Sequence, residues 1–171
     1  LGLQVLLLVV YIPSNVTFQA PNFSEYLVFF LFAIVLTPYQ AAFEEILVRG
    51  YLTQGVSLIT KNKFIVMVIP SIVFASLHLW NPEPNETGFL PYLTFMIIFA
   101  VFMAMVTLLD GGIELAIGYH AIHNLWIFLV FNTDVTVLNT PSLFITPVES
   151  TPGIFFQIAL FALLFIIFNW K

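Results

Sequence analysis

Long apolar runs separated by short polar turns are the feature that most constrains how this chain can fold. The run Phe89–Leu109 contains no charged side chain, and it has the length of about 20 residues that a transmembrane helix needs. Only 8% of all residues are charged and 61% are hydrophobic, whereas a soluble domain carries about 25% charged residues. The sequence therefore predicts an integral membrane protein with α-helical spans, because backbone polar groups in lipid need partners within their own segment.

The polar turns divide the chain into about five complete spans and a truncated one at the N-terminus. The apolar segments are, in chain order, the truncated Leu1–Ile12, then Glu25–Ile59, Phe64–Trp80, Phe89–Leu109, Ile113–Phe131 and Gly153–Trp170. We predict an all-α, polytopic transmembrane helix bundle in three parts: a truncated transmembrane helix and loop (1–22), the functional core (23–131), and a polar loop with the final transmembrane helix (132–171). The second segment is too long for one straight span, so we expect Pro38 to kink or break it.

Charge and cysteine content exclude several classes of function. The net charge is −5, with only four Lys and Arg residues, so we expect no nucleic-acid partner. The chain has no cysteine, which excludes disulfides, thiol nucleophiles and thiolate metal sites. The bilayer itself is the partner that this composition implies.

Two adjacent glutamates and an arginine interrupt the second apolar segment, in the sequence EEILVR. One charged residue at the centre of a bilayer costs about 2.5–3.5 kcal/mol, so three so close together indicate a functional site. Glu45 and Arg49 are four residues apart with the acid first, the favourable order for an ion pair on one helix face. Glu44 lies about 100° around the helix from Glu45. We therefore expect a structural pair and a second glutamate that is free for chemistry.

Two further polar groups interrupt later apolar segments. Counted from the middle of the Lys-Asn-Lys turn, Glu45 lies 17 residues before it and His78 lies 16 residues after it, so a helical hairpin would place both at similar depth. His120 and Asn124 are four residues apart and share a helix face. We predict that this pair meets His78 and Glu44 in one cavity inside the bilayer.

These residue types are suited to two kinds of hydrolytic chemistry. A carboxylate and an imidazole that converge on one water form a general base, and a second imidazole with a carboxamide can donate hydrogen bonds to an oxyanion. Such a set is equipped for amide hydrolysis. Alternatively, Glu44, His78 and His120 could bind Zn²⁺ and acidify a water, although the usual helical zinc motif HExxH is absent. The residues alone leave both readings open.

Three motifs, taken together and in order, resemble those of the CPBP family of intramembrane proteases, also called the Abi or type II CAAX-protease family. EEILVR resembles the family motif EExxxR, FASLH resembles FxxxH, and HAIHN resembles HxxxN. The resemblance covers about Thr37–Phe131 and departs from many members at Val48, where they have phenylalanine. It implies an all-helical intramembrane endopeptidase that cuts near one end of its substrate.

The resemblance also implies roles for six residues: water activation by Glu44 and His78, oxyanion binding by His120 and Asn124, and support of the site by Glu45 and Arg49. Family members have been described both as metalloproteases and as metal-independent glutamate proteases. We favour the second description, with no cofactor, because it gives the asparagine and the second histidine clear roles. Zn²⁺ remains the alternative.

The family's known substrates are prenylated CAAX proteins and precursors of bacteriocins or signalling peptides, so the resemblance implies a membrane-associated peptide or protein as the partner. The small size favours peptide processing or self-immunity in a bacterial cytoplasmic membrane. The alternative from another functional class is a non-catalytic membrane protein, such as a transporter subunit or immunity factor, that uses the same polar cluster for binding. Neither the substrate nor the oligomeric state is specified by these residues.

Overall fold

Helices make up most of residues 16–147, the part of the chain that the computed structural model describes. The elements are β1 (Thr17–Phe18), α1 (Phe23–Glu45), a π-helical segment (Ile46–Leu52), α2 (Thr53–Ile59), α3 (Lys63–Leu77), α4 (Glu83–Thr87), α5 (Phe89–Asp110), α6 (Glu114–Leu129), β2 (Phe131–Thr133) and β3 (Phe144–Thr146). The predicted all-α bundle is confirmed. The expected segments Leu1–Ile12 and Gly153–Trp170 lie outside the described residues, so the predicted span count and the three-part division stay predictions.

Two helical stretches within residues 16–147 are long and apolar enough to cross a membrane. They are Phe23–Ile59, with a mean hydropathy of 1.8, and Phe89–Asp110, with a mean hydropathy of 2.4. Lys63–Leu77 is a shorter apolar helix. Large apolar side chains also lie exposed along α1, among them Phe32, Leu36 and Phe43. A surface this apolar is favourable against lipid and unfavourable against water.

The N-terminal helical stretch does not break at Pro38, where we expected a kink or a break. α1 continues through the proline, and the hydrogen-bonding pattern widens from α to π only after Glu45. The backbone N–H and the hydroxyl of Thr53 both donate to the carbonyl of Val48, the hydroxyl at 2.8 Å. π-helical turns are rare and occur often at functional sites. Here the π turns begin immediately after the two glutamates.

The helices pack as two main pairs, α1 against α6 and α3 against α5. One buried apolar cluster joins the π segment, α3 and α5, and consists of Val48, Phe74, Ala75, Tyr92, Met96 and Ala100. A second cluster joins α5 and α6, and consists of Phe102, Met103, Val106 and Ala116. The alanines in both clusters let the helix backbones approach closely, as small residues do in membrane helix interfaces. This packing brings α1, α3, α5 and α6 around one buried polar centre.

A small three-stranded sheet closes one end of the bundle, in the order β1-β3-β2. β1 is antiparallel to β3, and β2 is parallel to β3. The sequence analysis predicted only irregular loops here. The backbone N–H groups of Leu143 and Phe144 donate to the carbonyls of Leu129 and Val130 at 3.2 and 2.8 Å. The first residue of β3 and the residue before it therefore satisfy carbonyl groups that the end of α6 leaves without helical partners.

Side chains reinforce this closed end of the bundle. Asn132 is fully buried, and its amide donates to the carbonyl of Leu138 and the hydroxyl of Thr140, both at 2.9 Å. The hydroxyl of Thr140 donates in turn to the carbonyl of Phe128 at 2.8 Å. From α1, the hydroxyl of Tyr26 donates to the carbonyl of Leu129 at 3.3 Å. The start of α1 and the end of α6 are therefore held together.

Candidate active site

A buried ion pair connects the end of α1 to the π segment. Arg49 Nη1 donates to Glu45 Oε1 at 3.1 Å, and both side chains are almost completely buried. Arg49 Nη2 donates to the backbone carbonyl of Ala100 on α5 at 2.9 Å. The guanidinium also lies 4.9 Å from the centre of the Phe74 ring on α3, within cation–π distance. Arg49 thus forms the expected pair and ties α3 and α5 to the site.

His120 on α6 is the second partner of Glu45. Its Nδ1 lies 2.7 Å from Glu45 Oε1, and its ring is buried. Glu45 is paired with Arg49 and is therefore an ionised acceptor, so Nδ1 of His120 carries the hydrogen and donates. This contact leaves His120 Nε2 directed toward Glu44, whose Oε2 is 3.7 Å away. That distance is too long for a direct hydrogen bond.

Glu44 is the accessible carboxylate of the two. Its side chain is 25% exposed, whereas that of Glu45 is 0% exposed. Glu44 Oε1 accepts a hydrogen bond from Gln40 Nε2, one helical turn earlier. Glu44 Oε2 is buried and has no hydrogen-bond partner in the described part of the chain. A buried polar atom without a partner calls for a functional explanation, and this oxygen can accept from a water or a substrate.

Asn124 is linked to Glu44 through Gln40. Its Nδ2 donates to Gln40 Oε1 at 3.0 Å, and Gln40 Nε2 donates to Glu44. The sequence analysis did not include Gln40 among the site residues. The signal was nevertheless present, because an isolated glutamine in an apolar run stands four residues before Glu44 and therefore on the same helix face.

His78 contacts Phe74, one turn earlier in the same helix. It caps the C-terminal end of α3, and its Nδ1 is 2.8 Å from the carbonyl of Phe74. Its ring packs on the Phe74 ring at 4.4 Å between centroids, and the same Phe74 ring meets His120 edge-on at 6.2 Å. Within residues 16–147, no hydrogen bond or ion pair joins His78 to Glu44. The expected water-activating pair therefore stays a prediction.

Comparison with known proteins places the sequence of this chain in a family. Residues 23–126 match the type II CAAX prenyl endopeptidase Rce1-like family, and this stretch begins with α1 and contains every residue of the candidate site described above. The chain belongs to that family. The family membership predicted from the three motifs is thereby confirmed, and together with the apolar helices it indicates a membrane protein.

One relative is a Bacillus subtilis (strain 168) protein described as uncharacterized protein YyaK. It is 31% identical over 136 residues, which are 77% of this chain and 44% of YyaK. The Rce1-like chain therefore spans less than half the length of that relative. No solved structure matches the chain.

The zinc alternative concerns three side chains of the Rce1-like site, those of Glu44, His78 and His120. No three His, Asp or Glu side chains among residues 16–147 are grouped as metal ligands. Of the three candidate ligands, His120 approaches Glu44, while His78 is bonded to the backbone of its own helix. Because only Nδ1 of His78 is bonded, its Nε2 can still bind a metal, and the zinc alternative stays a prediction.

The charges of the Rce1-like site fix what His120 can do. With both carboxyl groups ionised, Glu44 and Glu45 carry two negative charges beside the one positive charge of Arg49. With Nδ1 donating to Glu45, a neutral His120 presents Nε2 as an acceptor, whereas an imidazolium presents an N–H donor and balances the cluster. The ring is thus oriented to exchange a proton on the side that faces Glu44. The contact with Glu45 fixes the direction of this ring.

Proposed function

We propose that the chain is an intramembrane endopeptidase that hydrolyses a peptide bond in a membrane-associated or prenylated protein or peptide precursor. The single observation that carries the proposal is the buried, unpartnered Oε2 of Glu44, which faces an oriented histidine. The family's description as prenyl endopeptidases supports the reaction class. A bacterial cytoplasmic membrane is the proposed location, which the Bacillus relative supports.

In the proposed reaction, Glu44 Oε2 removes a proton from a water as the water oxygen attacks the carbonyl carbon of the substrate. The carbonyl oxygen becomes an oxyanion, which accepts hydrogen bonds from Nε2–H of protonated His120 and from the second Nδ2–H of Asn124. When the C–N bond breaks, Glu44 returns the proton to the departing amine. Glu45 and Arg49 touch no reacting atom in this scheme and hold His120 in place.

His78 is proposed to bind the attacking water. Because its Nδ1 donates to the carbonyl of Phe74, a neutral ring presents Nε2 as an acceptor. We assign this nitrogen to the attacking water, as the second group that the water meets besides Glu44. Replacement of His78 by alanine is expected to lower kcat by about 10²-fold to 10⁴-fold, the usual range for a group that assists proton transfer.

The experiment that tests the function is the change Glu44→Gln. Glutamine keeps the size and can still accept from Gln40, so the bundle is expected to fold, but it cannot take a proton from water. Cleavage of a fluorogenic farnesylated CAAX peptide and of candidate precursor peptides in proteoliposomes is expected to fall by about 10²-fold or more. Glu86→Gln, at an exposed position on α4, is the matched control and is expected to cleave like the wild type.

Full turnover by the Glu44→Gln variant would overturn the assignment of Glu44 as the base. Proton flux across the vesicles without cleavage of any peptide would instead favour a non-catalytic, transporter-like membrane protein. Zinc analysis of the purified protein and a chelator test decide the cofactor. Stoichiometric zinc with chelator-sensitive activity would replace the metal-free scheme.

A further inference from the structure

We propose that Gln40 is a positioning residue that orients both Glu44 and Asn124 for the reaction. This proposal rests on the proposed function. Gln40 is the only side chain in the described residues that hydrogen-bonds to both of them. It bridges α1 to α6 across the site. No motif of the sequence includes it.

The chemistry of the three groups permits only one direction for this relay. An ionised Glu44 carboxylate can only accept, so the Gln40 amide must present its nitrogen to it. The Gln40 oxygen is then the end that faces α6, and Asn124 must meet it with Nδ2. One amide thereby fixes which way the next amide faces, whereas an asparagine without such a partner can present either its oxygen or its nitrogen.

The direction of Asn124 matters because an oxyanion needs a donor. With one Nδ2–H given to Gln40, the second Nδ2–H remains for the substrate. A flipped Asn124 would present Oδ1, which repels an oxyanion. The same relay fixes the Oε1 end of Glu44, and this leaves Oε2 directed toward His120. Gln40 therefore sets the acceptor that meets the water and the donor that meets the oxyanion.

The charged neighbours of this relay are few, and each lies on a named element. Glu44 is on the same helix, with Glu45 and Arg49 following it, and His120 faces it from α6. His123 is on α6 close to His120, and His78, which follows α3, bonds to the backbone of that helix. A negative charge at position 40 would therefore meet another carboxylate at hydrogen-bond distance.

The test compares Gln40→Glu with Gln40→Met by their pH–kcat profiles on the farnesylated fluorogenic peptide. At high pH, two adjacent carboxylates repel and cannot form the relay. At lower pH they share one proton, so the new glutamic acid donates to Glu44 and accepts from Asn124, as the amide did. Gln40→Glu is expected to recover activity at acidic pH, while Gln40→Met loses about 10-fold to 100-fold in kcat at every pH. KM is expected to change little in either variant.

Gln54→Met is the matched control, because Gln54 is an exposed glutamine on α2 and should keep the wild-type profile. Wild-type kcat in Gln40→Met, or profiles of one shape in both Gln40 variants, would overturn the positioning role. A double-mutant cycle on thermal stability, with Gln40→Met and Asn124→Ala, gives a readout that needs no activity. If the wild type cleaves no peptide but the cycle shows coupling between the two positions, the relay is supported and only the proposed function is contradicted. Additive effects would defeat the relay.

Discussion

Arg49→Met tests the buried ion pair, which the structure presents as the link between the π segment, α3 and α5. The substitution leaves Glu45 with no exposure to solvent and with His120 as its remaining partner. It also removes the hydrogen bond to the Ala100 carbonyl and the contact with the Phe74 ring. Loss of one member of a buried ion pair costs about 3–5 kcal/mol, because the other charge stays buried.

That free energy corresponds to a fall in Tm of about 6–20 °C for a chain of this size, measured by thermal unfolding in detergent micelles. Lys63→Met removes the same charge at an exposed position and should change Tm by about 2 °C or less, since exposed charges contribute little. The pair can also be removed as a whole in Glu45→Gln/Arg49→Met, where the neutral amide still accepts from His120.

We expect the double variant to recover at least about 1–2 kcal/mol relative to Arg49→Met, because no unpaired charge remains. An Arg49→Met variant as stable as Lys63→Met would refute the reasoning. A double variant less stable than Arg49→Met would also refute it, since the cost would then not come from the unpaired carboxylate.

Two further predictions concern stability away from the site. Asn132→Ala leaves the Leu138 carbonyl and the Thr140 hydroxyl without this donor at the closed end of the bundle, so the free energy of unfolding should fall by about 1–3 kcal/mol. The control Asn85→Ala, at an exposed position, should not change Tm measurably. Equal Tm values for the two variants would contradict the stabilising role of Asn132. Gly111→Ala should lower the free energy of unfolding by about 1 kcal/mol in the same assay, because Gly111 follows α5 with a φ of +77°, which is unfavourable for a residue with a Cβ. Gly55→Ala, in the helical conformation of α2 with open space around it, should instead be neutral or slightly stabilising.

Local spacing explains what the sequence could predict. Glu45 and Arg49 pair because residues four apart share a helix face, and this holds without knowledge of the rest of the fold. α5 was predicted at Phe89–Leu109 and observed at Phe89–Asp110, because an uncharged apolar run of that length has few alternatives in a membrane. The expected depth of His120 in the bilayer placed it near the two glutamates, but did not identify Glu45 as its partner.

The remaining features depend on packing between distant parts of the chain. β3 forms only because the loop after α6 folds back onto both β1 and β2, and such short strands have no periodicity to detect. The position of His78 follows from Phe74, whose ring occupies the space beside His120. Matching depth along a hairpin says how far each residue lies from the turn. It does not say which side chains lie between two residues at the same depth.

The π-helical segment affects how the chain tolerates changes in length. An α-helix turns about 100° per residue, so a deletion early in α1 would rotate Glu44 and Glu45 away from α6. The Ile46–Leu52 segment holds more residues per turn than an α-helix, and the loss of one of them can be absorbed as its wide turns tighten. Because Arg49 must stay four residues after Glu45 to form the ion pair, single-residue gaps among related sequences should be found at residues 50–52 and not before the paired glutamates.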